Sequence, residues 1–356
     1  MKMKTVMKTK ACLLAAVAMT LSQAVGAAAE SLEQAIHQLA PKQLSAVLLQ
    51  QEGRLKHELY FNGATRNDLH NIRSASKSLT SMLFGIALKE GHFRSVDERV
   101  LPVFPEYQPL LFPSSRKERM RFFDLLSMTN PLECDDMNNY SRGHEERMYL
   151  TYDWIQFFLN LPARGHEPWV KPPEQQPFGR DFSYCTAGIS ITAAAIERKV
   201  GMGMDDYAKA KLFEPMDITA YEWPYSPAGI TQGGGGLSIR PRDLIKLGQL
   251  MLNQGEWNGQ QLIDRSWVEK SFTAYSQAMP ELKANYGLAW WIFPYEIGER
   301  TITTYAAAGN GGNYLYVVPE LNAIAVITAT AYSTPYMHQQ SQQIFSELLL
   351  PRLLQP

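Results

Sequence analysis

The sequence predicts an α+β fold: an antiparallel sheet flanked by helices, with a mostly helical lobe inserted between its two halves. Three observations carry that reading. Runs rich in β-branched and aromatic residues crowd the end of the chain, at 286–293, 301–307, 313–318 and 323–328. A second group lies near the start, where 46–51 and 54–61 flank Glu52-Gly53 and read as a hairpin. From about 101 to 284 the pattern is helical and loop-rich, so one sheet must draw strands from both ends.

Taken in order, 31–40 reads as a short helix ahead of the hairpin. Leu79, Met82, Leu83 and Ile86 then recur at i, i+3, i+4 and i+7, one buried helical face that ends near Gly91. Pro105, Pro109, Pro113, Pro131, Pro162, Pro168, Pro172, Pro173 and Pro177 make 100–180 irregular. Helices follow at 188–200, with Gly201 as a C-terminal cap, and at 205–213, stopped by Pro215. Another begins near Pro241 and carries Leu244, Leu247, Leu250 and Met251 on one face, and a last one spans 337–349. The glycines at 233–236 read as a short flexible loop. No Lys-Ser/Thr follows them, which disfavours a phosphate loop.

The first 29 residues have the layout of a secretory signal peptide. Lys2, Lys4, Lys8 and Lys10 form the charged start, 11–19 the apolar run, and Ala27-Ala28-Ala29 the cleavage site. The apolar run is well short of the roughly 20 residues a membrane span needs. The expected organisation is a leader over 1–29 and one domain over 30–356. Its sheet lobe takes about 30–100 and 285–356, and its helical insertion about 101–284. Export to a bacterial periplasm or the medium follows, with no integral membrane segment after the leader is removed. Taking the four leader lysines from 34 basic residues leaves 30 against 35 acidic ones, a formal −5. That balance offers nothing to nucleic acid or anionic lipid. Two cysteines remain, Cys134 and Cys185, and an oxidising compartment lets such a pair bridge.

Ser74-Ala75-Ser76-Lys77 opens the first apolar helix, so Ser74 and Lys77 share a helical face. A serine hydroxyl becomes a good nucleophile when a neighbouring base takes its proton, and a desolvated lysine can be that base. The helix N-terminus adds N–H groups where an oxyanion would form. Ser114-Ser115-Arg116-Lys117 repeats the spacing, but it runs into Lys117-Glu118-Arg119, a charged surface stretch with no apolar face, and reads as chance. A proton shuttle between serine, lysine and leaving group needs a third residue. Tyr184, in Phe182-Ser183-Tyr184-Cys185-Thr186 just before a helix, is the best placed. Tyr60, Tyr149 and Tyr332 rank lower, in a strand, a surface segment and a chain-end turn. Gly309-Asn310-Gly311-Gly312-Asn313 leads into a strand, where glycines let backbone approach a substrate and a free N–H can complete an oxyanion hole.

Ser74-x-x-Lys77, then Tyr184-Cys185-Thr186, then Gly309-Asn310-Gly311-Gly312 before a strand ending in Val318-Pro319-Glu320, resembles the β-lactamase-related serine hydrolases over nearly the whole mature chain. That superfamily includes class C β-lactamases, D-alanyl-D-alanine carboxypeptidases, β-lactamase-fold esterases and 6-aminohexanoate-dimer hydrolases. Three stretches look like further family landmarks: Leu125 to Thr129, Leu212 to Ile218, and the glycines at 233–236 with Leu237, Ser238 and Pro241-Arg242-Asp243. The resemblance implies a β-lactamase/transpeptidase-like fold with a site between sheet and helical lobe, and no cofactor or metal. It implies Ser74 as the acylated nucleophile, Lys77 as its base partner and Tyr184 as the acid and later base. The backbone N–H groups of Ser74 and Asn310 would hold the oxyanion, and Thr186, Gly309 and Gly311 would border the substrate.

Two departures shape the substrate. Thr186 stands where penicillin-recognising members carry asparagine, and no Lys-Thr-Gly or Lys-Ser-Gly lies near 300–313. The expected substrate is a small ester or linear amide, in the manner of the esterases and aminohexanoate-dimer hydrolases. A peptide-like substrate or a β-lactam, as in the carboxypeptidases and β-lactamases, is the alternative. A covalent ligand sensor is the rival from outside catalysis. The seven histidines show no paired ligand spacing and there is no Gly-x-Ser-x-Gly, which disfavours metal and Ser-His-Asp hydrolases. Cys185 has no histidine near it in sequence and is a poor nucleophile candidate. Trp154, Trp169, Trp223, Trp290 and Trp291 read as packing residues, and Asp135 and Asp136 as a solvated loop.

Overall fold

The computed structural model describes residues 31–165 and 171–355. The chain divides into two compact units, Met1–Ala40 and Pro41–Pro356. In the first, helix α1 (Leu32–Leu39) opens on a reciprocal cap. The Ser31 hydroxyl accepts the Gln34 N–H, and the Gln34 side chain accepts the Ser31 N–H. The leader, His166, Pro168 and Trp169 lie outside the described residues.

The second unit is built on an eight-stranded antiparallel sheet. Its strands are β1 (Leu44–Gln51), β2 (Arg54–Tyr60), β3 (Ser276–Met279), β4 (Ala284–Tyr286), β5 (Trp291–Ile297), β6 (Arg300–Gly309), β7 (Asn313–Val318) and β8 (Ala323–Ala329). They lie in the order β2-β1-β8-β7-β6-β5-β4-β3. The predicted hairpin forms, and β1 pairs with β8, placing Val47 opposite Ile327. One sheet therefore draws on both ends of the chain. Every residue of β7 and β8 is buried, as expected for strands covered on both faces. On one face, the helix Pro241–Leu252 packs Gly248 against Leu315 and Ile324. On the other, Phe345 of the C-terminal helical run stacks on Tyr316. Among the described residues no helix is long and apolar enough to cross a membrane.

Several boundaries differ from the sequence expectation, each for a local reason. The run at 286–293 is two strands, because the Gly287 N–H donates to the Trp290 carbonyl and turns the chain between β4 and β5. The edge strand β3 was not expected, since Ser276-Gln277-Ala278-Met279 has no β-branched residue. Pro215 does not stop its helix. The turns Met204–Ala208 and Lys209–Phe213 continue into Glu214–Met216, where the proline sits in a new first turn that needs no N–H from it. The last helical run passes 349 and reaches Leu353.

Helix α2 (Ser76–Lys89) is also not the amphipathic helix its pattern suggests. Every residue from Ser76 to Ala87 is buried. Most of its polar side chains are tied down. The Ser76 hydroxyl donates to the Arg73 carbonyl and accepts the Leu237 N–H, Ser78 donates to the Ala289 carbonyl, and Thr80 to the Gly233 carbonyl. A polar face can line the interior when its hydroxyls find such partners. A short three-stranded sheet, His70–Asn71, Ser238–Ile239 and Tyr221–Glu222, holds the chain just ahead of this helix.

Candidate active site

Ser74 lies in a single 3-10 turn, Arg73–Ala75, that runs straight into α2. The turn is entered through Arg73 at φ 52°, a left-handed conformation in a non-glycine residue. From inside the turn, Ser74 and Lys77 point to one side. The Lys77 Nζ is 2.9 Å from Ser74 Oγ and donates to the Gly234 carbonyl at 2.6 Å. Lys77 is 1 % exposed, so its amine meets protein and not bulk water.

The glycine run at 233–236 is a buried acceptor wall, not a flexible loop. A Cβ on Gly234 would come within 2.6 Å of Thr186 Cγ2, so only glycine lets its carbonyl stand over Lys77. At the far side, a Cβ on Gly309 would sit 2.0 Å from the Ile72 carbonyl oxygen. Glycine there allows the end of β6 to approach the Ser74 turn and brings Asn310 beside it.

Tyr184 enters from the chain ahead of helix α3 (Thr186–Val200). Its ring lies over the Lys77 Nζ at 4.9 Å and stacks on Trp291 at 5.7 Å. Burial pushes its hydroxyl up, while the charge of Lys77 and the hydroxyl of Ser74 pull the other way. The structure bridges Cys134 to Cys185, with Cα atoms 5.3 Å apart. The Ser183 N–H donates to the Met128 carbonyl and its hydroxyl to the Cys134 carbonyl. Tyr184 thus sits between a disulfide and a pair of hydrogen bonds.

Two cavities meet at Ser74, Glu145 and Asn310. The polar one, about 480 Å³, is lined also by Arg73, Glu146, Tyr149, Gln232, Gly234 and Tyr332. The apolar one, about 320 Å³, is lined by Tyr184, Met279, Leu282, Trp291, Phe293 and Tyr314, with Asp136 and His338 at its wall. In the polar cavity the Arg73 guanidinium packs over the Tyr332 ring at 4.4 Å. Burial lowers His338, whose Nδ1 is 2.8 Å from the Tyr314 hydroxyl.

The structure brings Ser74, Lys77, Tyr184, Gly309 and Asn310 together and leaves two candidates aside. Thr186 is wholly buried and lines neither cavity; its N–H donates to Asp136. Gly311 lines neither, and its N–H donates to Met337 Sδ. Asp135 and Asp136 are half-buried rather than fully solvated, and the Asp136 carboxylate accepts the Thr186 and Glu145 N–H groups; burial raises both carboxyls, Asp136 to about 6. Trp291 is a cavity wall, whereas Trp154, Trp223 and Trp290 are core. Tyr149 is not a free surface residue: its hydroxyl donates to Glu145 and accepts from Gln232, and it faces the polar cavity. Sequence reasoning missed Arg73 and Glu145. Adjacency to Ser74 was a usable signal for the first; the second carried none.

The family model described as Beta-lactamase matches residues 42–348. The 6-aminohexanoate-dimer hydrolase of Paenarthrobacter ureafaciens is 25 % identical over 291 residues, covering 76 % of this chain and 68 % of that protein. A Bacillus anthracis structure, provisionally named a 6-aminohexanoate-dimer hydrolase, superposes with a TM-score of 0.70 at 19 % identity, over 90 % of this chain and 82 % of its own. The D-stereospecific amidohydrolase of a Streptomyces species gives 0.65 at 15 % identity, over 90 % and 98 %. The two structural likenesses show a shared fold. With a family match over most of its length, this chain belongs to the Beta-lactamase family of β-lactamase-fold serine hydrolases.

Proposed function

We propose that the protein is an exported serine hydrolase that acts through a Ser74 acyl-enzyme on small esters or linear amides. One observation carries the reading: a buried Lys77 amine lies 2.9 Å from Ser74 Oγ, under the Tyr184 ring, at the junction of two cavities. In its free-base form Lys77, with Tyr184, takes the hydroxyl proton as Ser74 Oγ attacks the acyl carbon. The carbonyl oxygen gains charge toward the N–H groups of Ser74 and Asn310. The Asn310 carbonyl accepts from Asn313, its side-chain oxygen accepts the Ser333 N–H and its Nδ2 donates to the Ser333 hydroxyl, so the backbone N–H is the donor it can offer the oxyanion. Tyr184 then returns the proton to the departing alcohol or amine, and the acyl group stays on Ser74. Water, deprotonated by the same pair, attacks the ester, releases the acid and restores the hydroxyl.

The leader over 1–29 supports export. A D-alanyl-D-alanine carboxypeptidase or β-lactamase reading keeps one specific support, the Arg73 cation beside the nucleophile. Incubation with a fluorophosphonate followed by peptide mass mapping should place the adduct on Ser74. Label on another serine would sink the assignment. Steady-state release of product from p-nitrophenyl butyrate separates an enzyme from a sensor that is acylated once and stays so.

A further inference from the structure

The chain that leaves Tyr184 is held by a residue that touches neither its hydroxyl nor Ser74. The Asp136 N–H donates to the Tyr184 carbonyl at 2.7 Å. Its Oδ2 accepts the Thr186 N–H at 2.6 Å, and its Oδ1 accepts the Glu145 N–H at 2.8 Å. One residue therefore fixes the backbone from the Tyr184 carbonyl to the Thr186 N–H, and ties it to the start of the helix Glu145–Tyr149, which borders both cavities. Two residues away, the Cys134–Cys185 bridge anchors the same segment.

We propose that Asp136 is a positioning residue for Tyr184, setting the reach of its hydroxyl to Ser74 and supplying negative charge at the wall of the site. The inference rests on the Ser74 acyl-enzyme reading. The groups facing its carboxyl are Lys77 from α2, Glu145 and Tyr149 from the neighbouring helix, and Tyr184 itself. Burial and the Glu145 charge favour the neutral acid, and Lys77 and the Thr186 N–H favour the anion. The anion in turn favours the protonated form of a base beside it. Asparagine in its place removes the charge and leaves one carbonyl oxygen to serve two N–H donors. Both effects act on proton transfer, while the cavities that receive substrate keep their walls.

The test is steady-state kinetics of Asp136→Asn and Asp136→Ala on p-nitrophenyl butyrate, with thermal melting and fluorophosphonate labelling of each variant. Asp136→Asn should lose roughly 10- to 100-fold in kcat with KM little changed, the scale of a misplaced catalytic group. The acid limb of its kcat/KM profile should move to lower pH, because a charge that favours protonation of the base is gone. The double variant Cys134→Ser, Cys185→Ser should lower the melting temperature and leave that limb in place. Should Asp136→Ala fail to fold, Asp136→Asn, near its isostere, decides alone. A folded Asp136→Asn with wild-type kcat, or with lowered kcat and an unmoved profile, overturns the inference. Wild-type protein that carries no label on Ser74 overturns instead the reading on which it rests.

Discussion

Two stretches of this chain spell Ser-x-x-Lys, and the fold gives them different work. Both lysines are buried, Lys77 at 1 % exposure and Lys117 at 0 %. Burial alone therefore does not separate them: the second copy lies in the charged surface stretch its sequence suggests, with Ser115, Arg116, Glu118 and Arg119 exposed, but Lys117 itself turns inward. What separates them is where each serine stands. Ser74 is inside a helical turn, so its side chain and that of Lys77 emerge on one side and meet. Ser114 stands one residue before its helix, Ser115–Glu118, in extended backbone at φ −157°. From there its hydroxyl folds over the helix end and accepts the Lys117 N–H at 3.2 Å. Lys117 Nζ turns the other way and donates to the Leu159 carbonyl at 2.7 Å. Ser74 is the second residue of its helical turn and Ser114 the residue just ahead of its own, and that shift of two positions turns a serine–lysine contact into a cap and a buried donor.

Replacing each serine in turn tests this contrast most severely. Ser74→Ala should lower kcat by at least about 10⁴-fold, the scale seen when a nucleophile is removed. Ser114→Ala should leave kcat unchanged and lower stability by about 1 kcal/mol, the usual worth of a lost cap. Labelling that persists in Ser74→Ala would reverse the two roles. The lysines follow. Lys77→Ala and Tyr184→Phe should each lower kcat by at least about 100-fold, with a double variant far short of the product. Lys117→Met should turn over as wild type does. Near-normal activity in Tyr184→Phe would move the proton shuttle to another group.

The contrast sharpens on substrate choice. The Ser74 site lacks the lysine that penicillin binders place on the strand opposite the nucleophile, and Thr186 is buried behind it. A missing charge-assisted contact to the β-lactam carboxylate is worth roughly 1.5–3 kcal/mol. That is about 10- to 150-fold in kcat/KM. Nitrocefin should accordingly fall below p-nitrophenyl butyrate. The reverse order would point to Arg73 as the replacement cation, and Arg73→Gln would then remove the gain.

The sheet was legible because Val, Ile, Tyr and Thr concentrate in β6, β7 and β8, and the contact between Ser74 and Lys77 was legible because Ser-x-x-Lys opens a long apolar run. What the chain hid depends on pairings distant in sequence. Asp136 reads as a loop acid until Thr186, 50 residues on, turns an N–H toward it. Lys117 reads as surface until Leu159 offers a carbonyl across 42 residues. The glycines at 233–236 read as slack until their carbonyls meet Lys77 and Thr80. Local pattern reports which backbone forms. It does not report which polar group a fold delivers to another, and the chemistry of this site rests on those deliveries.

The remaining expected effect is on the pH dependence of stability, and it belongs to the second copy. Burial pushes Lys117 down to about 8 from its ordinary 10.5. Its folded-state value is therefore the lower one. Between about pH 8 and 10.5 the unfolded chain holds a proton at this lysine that the folded chain has released. Stability rises with pH wherever the unfolded state binds more protons, so this residue's unfavourable contribution fades as pH climbs through that window. Below pH 8 both states are charged there, and the full cost of burying the ammonium remains. Lys117→Met keeps the buried stem and removes the titration. Subtracting its urea unfolding free energies from those of wild type at pH 7.5, 9 and 10 cancels the tyrosines common to both. The difference should move toward wild type as pH rises. A difference that stays flat across those three values would mean that Lys117 keeps its charge in the fold, held by the Leu159 carbonyl, and the two lysines would then differ in geometry alone.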